Sequence, residues 1–173
     1  MNRSVYIISG PAGAGKSTTS RKIADRLIRS AHIEGDLINH MVIGGYEKPW
    51  LSQYHTDLIW LNISSLTLNF LNHDHDVVID YVSFFHNAEF IKRQIKNNKI
   101  SVKFVVLIVS EEELLLRDSQ RIPEYQMGQR CIEGLDEILQ SNPPGNHVIN
   151  TTCLEVEAVV KEIMNNPRFI LEE

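Results

Sequence analysis

The stretch Val5-Tyr6-Ile7-Ile8-Ser9-Gly10-Pro11-Ala12-Gly13-Ala14-Gly15-Lys16-Ser17-Thr18 decides the fold. Its first four residues are an apolar run closed off by Gly10, which predicts a short buried strand. Gly10 to Ser17 then reads G-x-x-x-x-G-K-S. The glycines let the backbone turn so that successive N–H groups point at one phosphate. Lys16 adds charge at the β- and γ-phosphates, and the Ser17 hydroxyl suits Mg²⁺. A helix starting there sets its positive end behind the same anion. From average residue frequencies, a chance match in a chain of this length is about one in a hundred. The expected phosphate-binding residues are therefore Gly10, Ala12, Gly13, Ala14, Gly15, Lys16, Ser17 and Thr18.

Outward from the loop, short apolar runs alternate with helical patterns. A helix is predicted from Lys16 to about Ser30, with Ile23, Leu27 and Ile28 on one face, and a weaker strand over Ala31–Asp36. Leu37–Ser52 is irregular. Ile59, Ile63, Leu66 and Phe70 recur at helical spacing, predicting one long amphipathic helix over about Leu51–Asn72. Val77–Val82 is the third strand, and a helix around Ala88–Asn97 leads to the fourth, Val102–Val109. Helices near Glu111–Arg121 and Tyr125–Leu139 follow, then a fifth strand over His147–Asn150. Thr152-Cys153-Leu154-Glu155 has the form of a capping box opening a last helix to about Met164. Five mostly apolar strands separated by helices predict a parallel sheet covered on both faces, an α/β doubly wound architecture.

The 173 residues fit one domain, with no internal repeat and no linker composition. Hydrophobic residues at 43% and charged residues at 23% exclude disorder. Seventeen Lys and Arg against 22 Asp and Glu give a formal charge of −5 without a basic block, which argues against nucleic-acid binding. The longest apolar run, Phe104–Val109, is far short of a membrane span. No signal-peptide h-region follows Met1, and the two cysteines, Cys131 and Cys153, form no disulfide framework. The expectation is a soluble cytoplasmic protein, a monomer or dimer, with no membrane partner.

The rest of the chain selects among nucleotide-binding classes. A guanine reader needs N-K-x-D, and Asn98-Lys99-Ile100-Ser101 lacks the final carboxylate. An ATPase motor follows its metal-side acid with a water-activating Glu, whereas Asp80 is followed by Tyr81. Asp80 itself interrupts an apolar strand, where a carboxylate is costly unless paired or near a metal. It reads as an acid that supports Mg²⁺. Period-2 geometry puts Glu34 and Asp36 on one face at the carboxyl end of the second strand, the edge where open parallel sheets bind ligands. Phosphoryl transfer to a hydroxyl needs a carboxylate to orient it and accept its proton. Arg117 and Arg121, four apart, share a helix face and suit adenine stacking and phosphate contact.

On these patches the chain resembles the small P-loop kinases of the nucleoside monophosphate kinase-like superfamily. Within it, the gluconate kinase, shikimate kinase and chloramphenicol phosphotransferase branch is most similar. The resemblance rests on the phosphate loop, Glu34-Gly35-Asp36, the strand with Asp80, and Arg117-Asp118-Ser119-Gln120-Arg121. It implies a five-stranded sheet in order 2-3-1-4-5, an acceptor segment over about 36–72 and a lid over about 117–135, within one domain spanning 1–173. It further implies ATP and Mg²⁺ as cofactors and transfer of the γ-phosphoryl group to a hydroxyl of a small molecule, a sugar acid such as gluconate among them. Asp36 would be the base and Glu34 would hold a metal-bound water. Arg117 would lie against adenine and Arg121 would reach the β/γ-phosphates, with Arg130 a further lid cation.

Asp36, Asn39, His40 and Trp50 are the expected acceptor contacts. Lys48-Pro49-Trp50-Leu51 is similar to a Pro-Trp-Leu patch of gluconate kinases, but the His-Pro dipeptide and the Arg of that pattern are replaced by Asn39-His40 and Lys48. The shikimate kinase glycine turn is likewise replaced by Val82-Ser83-Phe84-Phe85. His73-Asp74-His75-Asp76 reads as a polar turn, with nothing to fix a metal geometry. The rival reading is a nucleotide-binding or nucleotide-hydrolysing regulatory protein without small-molecule kinase activity.

Overall fold

The computed structural model describes residues 3–172; Met1, Asn2 and Glu173 of the expected 1–173 span lie outside them. Five parallel strands form one sheet in the order β2-β3-β1-β4-β5. They are β1 (Ser4–Ser9), β2 (Ser30–Glu34), β3 (Asp76–Asp80), β4 (Ser101–Ile108) and β5 (Val148–Asn150). Seven helices surround them: α1 (Lys16–Arg26), α2 (Gly35–Asn39), α3 (Gln53–Asn72), α4 (Phe85–Gln94), α5 (Glu111–Ser119), α6 (Arg130–Gln140) and α7 (Val156–Asn165). The expected α/β doubly wound sheet and its strand order hold.

Strand alternation sorts the core. Val5, Ile7, Val77, Ile79 and Phe104 point to one face, where Ile59 and Ile63 of α3 and Ala88 and Ile91 of α4 cover them. Tyr6, Ile8, Val78, Val105 and Leu107 point to the other, under Ile23 of α1 and Val159, Val160 and Ile163 of α7. Each fully buried aliphatic side chain contributes about 1.5–3 kcal/mol. A satellite cluster of Leu114, Cys131, Ile132 and Leu135 joins α5 to α6. Among the described residues, no helix is long and apolar enough to cross a membrane.

Several boundaries differ from expectation for local reasons. α1 stops at Arg26, because Leu27 turns to an extended conformation (φ −90°, ψ 142°), which leaves Ile28 85% exposed instead of on the buried face. β2 ends at Glu34, and Gly35 opens α2, so Asp36 lies in a helical first turn and the period-2 relation to Glu34 does not hold. The helix expected from Tyr125 begins at Arg130; Pro123 starts a separate 3-10 turn over Pro123–Tyr125. Thr152 and Glu155 form no capping box. The Thr152 hydroxyl instead accepts from the Ser110 N–H (3.0 Å), and Glu155 caps α7 without a side-chain bond.

The His73–Asp76 patch is a turn that runs into a buried strand start. Asp76 accepts from the Ser4 N–H at 2.7 Å and faces Arg3 at 3.6 Å, tying the starts of β1 and β3 together. Lys103, in the middle of β4, is 6% exposed. It donates to the carbonyls of Ile163 (2.8 Å), Met164 (2.7 Å) and Asn166 (3.3 Å), capping the C-terminus of α7 with a charge of the favourable sign.

Candidate active site

The loop after β1 closes tightly. Gly10 has φ +147°, and a Cβ there would sit 2.5 Å from the Leu107 carbonyl oxygen of β4, so no larger residue fits without moving the central strands. Gly15 precedes α1, whose first-turn N–H groups are free of side-chain caps and open toward the loop. Lys16 Nζ donates to the Pro11 carbonyl (3.0 Å), which carries its ammonium across the loop. Burial lowers the Lys16 pKa, while Asp80 and Asp36 nearby oppose that shift.

Asp80 ends β3, beside Glu34 of β2 in register, and is 6% exposed. Burial raises its carboxyl, but His32, the Ser17 hydroxyl and Lys16 outweigh this and hold it below the ordinary carboxylate range. His32 Nε2 stands 3.7 Å from Asp80 Oδ2, too far for a hydrogen bond, and has no other partner among the described residues. The Ser17 hydroxyl and the Asp80 carboxylate are hard oxygen donors side by side. Among the described residues, no group of three or more His, Cys, Asp or Glu is arranged so that it could hold a metal ion by itself. That sparse donor set fits Mg²⁺, which keeps waters and takes most of its remaining ligands from phosphate, and does not suit an all-protein cage.

Asp36, in the first turn of α2, is solvent-exposed on its cleft side yet surrounded by protein on most others. Burial raises its carboxyl, Lys16 lowers it, and Asp80 raises it again; the net direction is up. The structure brings Ala12, Lys16, Ser17, Asp36, Asp80 and Arg121 together on one cleft of about 510 Å³, which Trp50 also lines. Arg121 reaches it from the segment after α5, held 3.5 Å from Asp118 and donating to the Tyr125 carbonyl at 3.4 Å.

Other expected residues do not line that cleft. Asn39 is buried beside a separate cavity of about 150 Å³ between α2 and α3, its Oδ1 unpartnered. His40 is exposed next to Tyr46, and a charge on its ring would lower the Asp36 carboxyl. Glu34 is engaged by Arg21 at 3.2 Å, and Thr18 is exposed on α1. Arg117 is held by Glu113 (Nε to Oε1, 2.7 Å) on α5. Gly13 packs under Leu114, joining the loop to α5.

Sequence reasoning passed over several residues that the fold brings to the site. Tyr81 follows Asp80, is 8% exposed, and packs its ring 5.9 Å from that of Trp60 with the planes tilted by 59°. Asp118 is 3% exposed and accepts from the N–H groups of Met127 (2.9 Å) and Gly128 (2.7 Å), so it clasps the turn before α6. Burial raises its carboxyl and those two bonds more than reverse this. Its signal was its position four residues after Leu114, on the buried face of α5. Glu137 was passed over as well; it lines the cleft forked onto Arg130, the expected further cation, at 2.8 and 3.0 Å.

No protein-family model matches this chain, and no curated protein matches it by sequence. Solved structures do. A sugar kinase from Janibacter superposes with a TM-score of 0.68 at 14% identity, covering 99% of this chain and 100% of that one. The APS kinase of Mycobacterium tuberculosis, in complex with AMPPNP and APS, gives 0.69 at 14% identity over 95% and 96% of the two chains. A tunicamycin resistance protein of Deinococcus radiodurans gives 0.64 at 16% identity over 99% of each. At these identities the likeness concerns the fold, and the fold of this chain is that of the small P-loop kinases.

Proposed function

We propose that the protein is an ATP- and Mg²⁺-dependent kinase that transfers the γ-phosphoryl group to a hydroxyl of a small molecule. One observation carries this reading. A carboxylate with a raised pKa, Asp36, shares a cleft of about 510 Å³ with the loop lysine, and Trp50, Trp60, Tyr81 and Phe84, none of them part of the loop, wall the same cleft. A nucleotide-hydrolysing regulator has no use for that wall.

In this reading the loop N–H groups and Lys16 hold the triphosphate, and Arg121 approaches it from the lid. Mg²⁺, held by Ser17 and supported by Asp80, would neutralise charge on the β- and γ-oxygens. Asp36 accepts the proton of the acceptor hydroxyl as that oxygen bonds to the γ-phosphorus. The bond from the γ-phosphorus to the β–γ bridging oxygen breaks, and ADP leaves. Lid closure over residues 117–135 would keep water from taking the phosphoryl group. Arg117 would meet the adenine after exchanging its Glu113 contact. The likeness to kinases that act on small molecules agrees with this assignment.

The test is incubation with γ-labelled ATP and a panel of hydroxyl compounds, sugar acids included. Stoichiometric label transfer to an acceptor supports the kinase. Release of labelled phosphate at a rate independent of every acceptor would replace it with the regulatory reading.

A further inference from the structure

The second half of the cleft has a chemistry of its own, and it bears on which acceptor fits. Both tryptophans of the chain line it: Trp60 from α3, and Trp50 from the 3-10 turn before α3. Tyr81 and Phe84 add two more rings, and His86 stacks on Phe84 at 5.8 Å with planes 14° apart. Trp50 keeps 48% of its surface open even with the Arg130 guanidinium 5.3 Å from its ring centroid.

Charge is disposed differently from the phosphate end. Lys16 and Arg121 are close enough to sense one another, and they belong with the loop and the lid turn. Arg130 lines the cleft beside Trp50, and Lys48, which does not line it, stands over the same ring with its Nζ 5.4 Å from the centroid. The Arg130 guanidinium is already forked onto Glu137 and stands 3.5 Å from Glu133. Asp36 adds a further negative charge. Within the cleft lining, a carboxylate-bearing acceptor would thus meet two acids beside a cation that is already paired and would have to displace Glu137 to use Arg130, with Lys48 outside the lining.

The polar groups left for a ligand are uncharged. Asn87 uses its Oδ1 on the Phe84 N–H (2.8 Å), which leaves its amide N–H₂ to the cleft. The Thr56 hydroxyl donates to Pro49 O at 2.9 Å and keeps its lone pairs free. Burial and the Asp36 charge push the Tyr81 phenol well above its ordinary range, so it stays neutral. Aromatic walls with a few neutral hydrogen-bonding groups suit a flat, uncharged ring that carries the reacting hydroxyl on a polyol.

We infer that the acceptor is an uncharged hydroxyl compound bearing a planar ring, such as a nucleoside or an aryl glycoside, and not a sugar acid. This inference rests on the kinase reading for its hydroxyl but not for its binding chemistry. Two readouts separate them: quenching of the intrinsic tryptophan fluorescence without nucleotide, and label transfer from ATP. The probes are uridine, phenyl glucoside and gluconate. Saturable quenching by uridine or phenyl glucoside, at least tenfold tighter than by gluconate and lost in Trp50→Ala, is the expected result. In Glu137→Gln, which frees Arg130, gluconate should gain affinity by several-fold. Quenching with the expected preference but no transfer would leave the acceptor class standing and remove the kinase reading. Preferential binding or phosphorylation of gluconate by the unaltered protein, or quenching by none of the three, would overturn the inference.

Discussion

Gly35 lies between the two acids of the Glu34-Gly35-Asp36 patch, and the structure gives a steric reason for it. A Cβ on Gly35 would stand 2.4 Å from two ring carbons of Tyr81 and 2.8 Å from its Cβ. Carbon atoms prefer about 3.5–4.0 Å, so the overlap exceeds an ångström and falls at the base of the ring, where rotation cannot relieve it. Tyr81 is 8% exposed with Trp60 packed beside it, so it has little room to retreat. Overpacking of this kind costs about 1–3 kcal/mol. Gly35 has no positive φ and opens α2, so alanine returns up to about 1 kcal/mol through helix propensity. The balance for Gly35→Ala is a loss of about 1–2 kcal/mol, or roughly 2–8 °C in Tm for a chain of this size. Gly44→Ala, where an added Cβ meets nothing within 4 Å, is the control and should melt like the parent. Because Asp36 is the next residue, an ångström-scale shift of α2 should also cut phosphoryl transfer by about 10²-fold. Thermal melts and single-turnover transfer measure the two effects. A Gly35→Ala protein that melts at or above the parent would refute the packing account.

Three further outcomes follow from the same geometry. The Asp36 carboxyl is raised, and a base works in its ionised form, so the acid limb of a kcat/KM profile should lie above the ordinary carboxylate value of 3.8. The raised pKa also means that the folded state binds this proton more tightly than the unfolded chain. Stability is therefore lost as pH rises through the folded pKa, and Asp36→Asn should melt no lower than the parent at pH 7. Asp118 has the opposite sign: its depressed carboxyl stabilises above its unfolded pKa, and the benefit is lost as pH falls through the folded value. Asp118→Asn should cost about 1–3 kcal/mol in lost backbone bonds, visible as faster hydrogen exchange at Met127 and Gly128. Lys103→Met removes the charge that holds three α7 carbonyls; a loss of about 1.5–3 kcal/mol in a denaturant melt is expected.

The parts of the fold legible in the sequence were those fixed by local pattern. Val5–Ile8 and Val77–Ile79 read as buried strands because they are apolar on both faces, and both faces are covered. The loop motif placed Ala12, Lys16 and Ser17 on the cleft, and Asp80 stood out because a carboxylate interrupted such a strand. Asp36 reached the cleft by another route than the one reasoned: Gly35 breaks β2, and helical geometry then turns Asp36 in. The aromatic wall of the cleft, which the proposal gives to the acceptor, was the least legible. Its residues and their neighbours come from the turn before α3, α3 itself, the start of α4 and α6, and no spacing rule relates Trp60, Tyr81, Asn87 and Glu137 before the chain has folded. Lys103 was likewise hidden in an apolar strand pattern, because its partners are carbonyls of a helix some 60 residues later.

The most direct test of the central claim is the effect of Asp36→Asn on ATP binding and on phosphoryl transfer, measured on one preparation with an acceptor that the unaltered protein phosphorylates. The account predicts transfer lowered by about 10²–10⁴-fold with ATP affinity held within a few-fold, since Asp36 handles the acceptor proton and the loop with Lys16 holds the nucleotide. Transfer at the parental rate in Asp36→Asn would contradict it, as would a loss of ATP affinity that accounts for the whole decline.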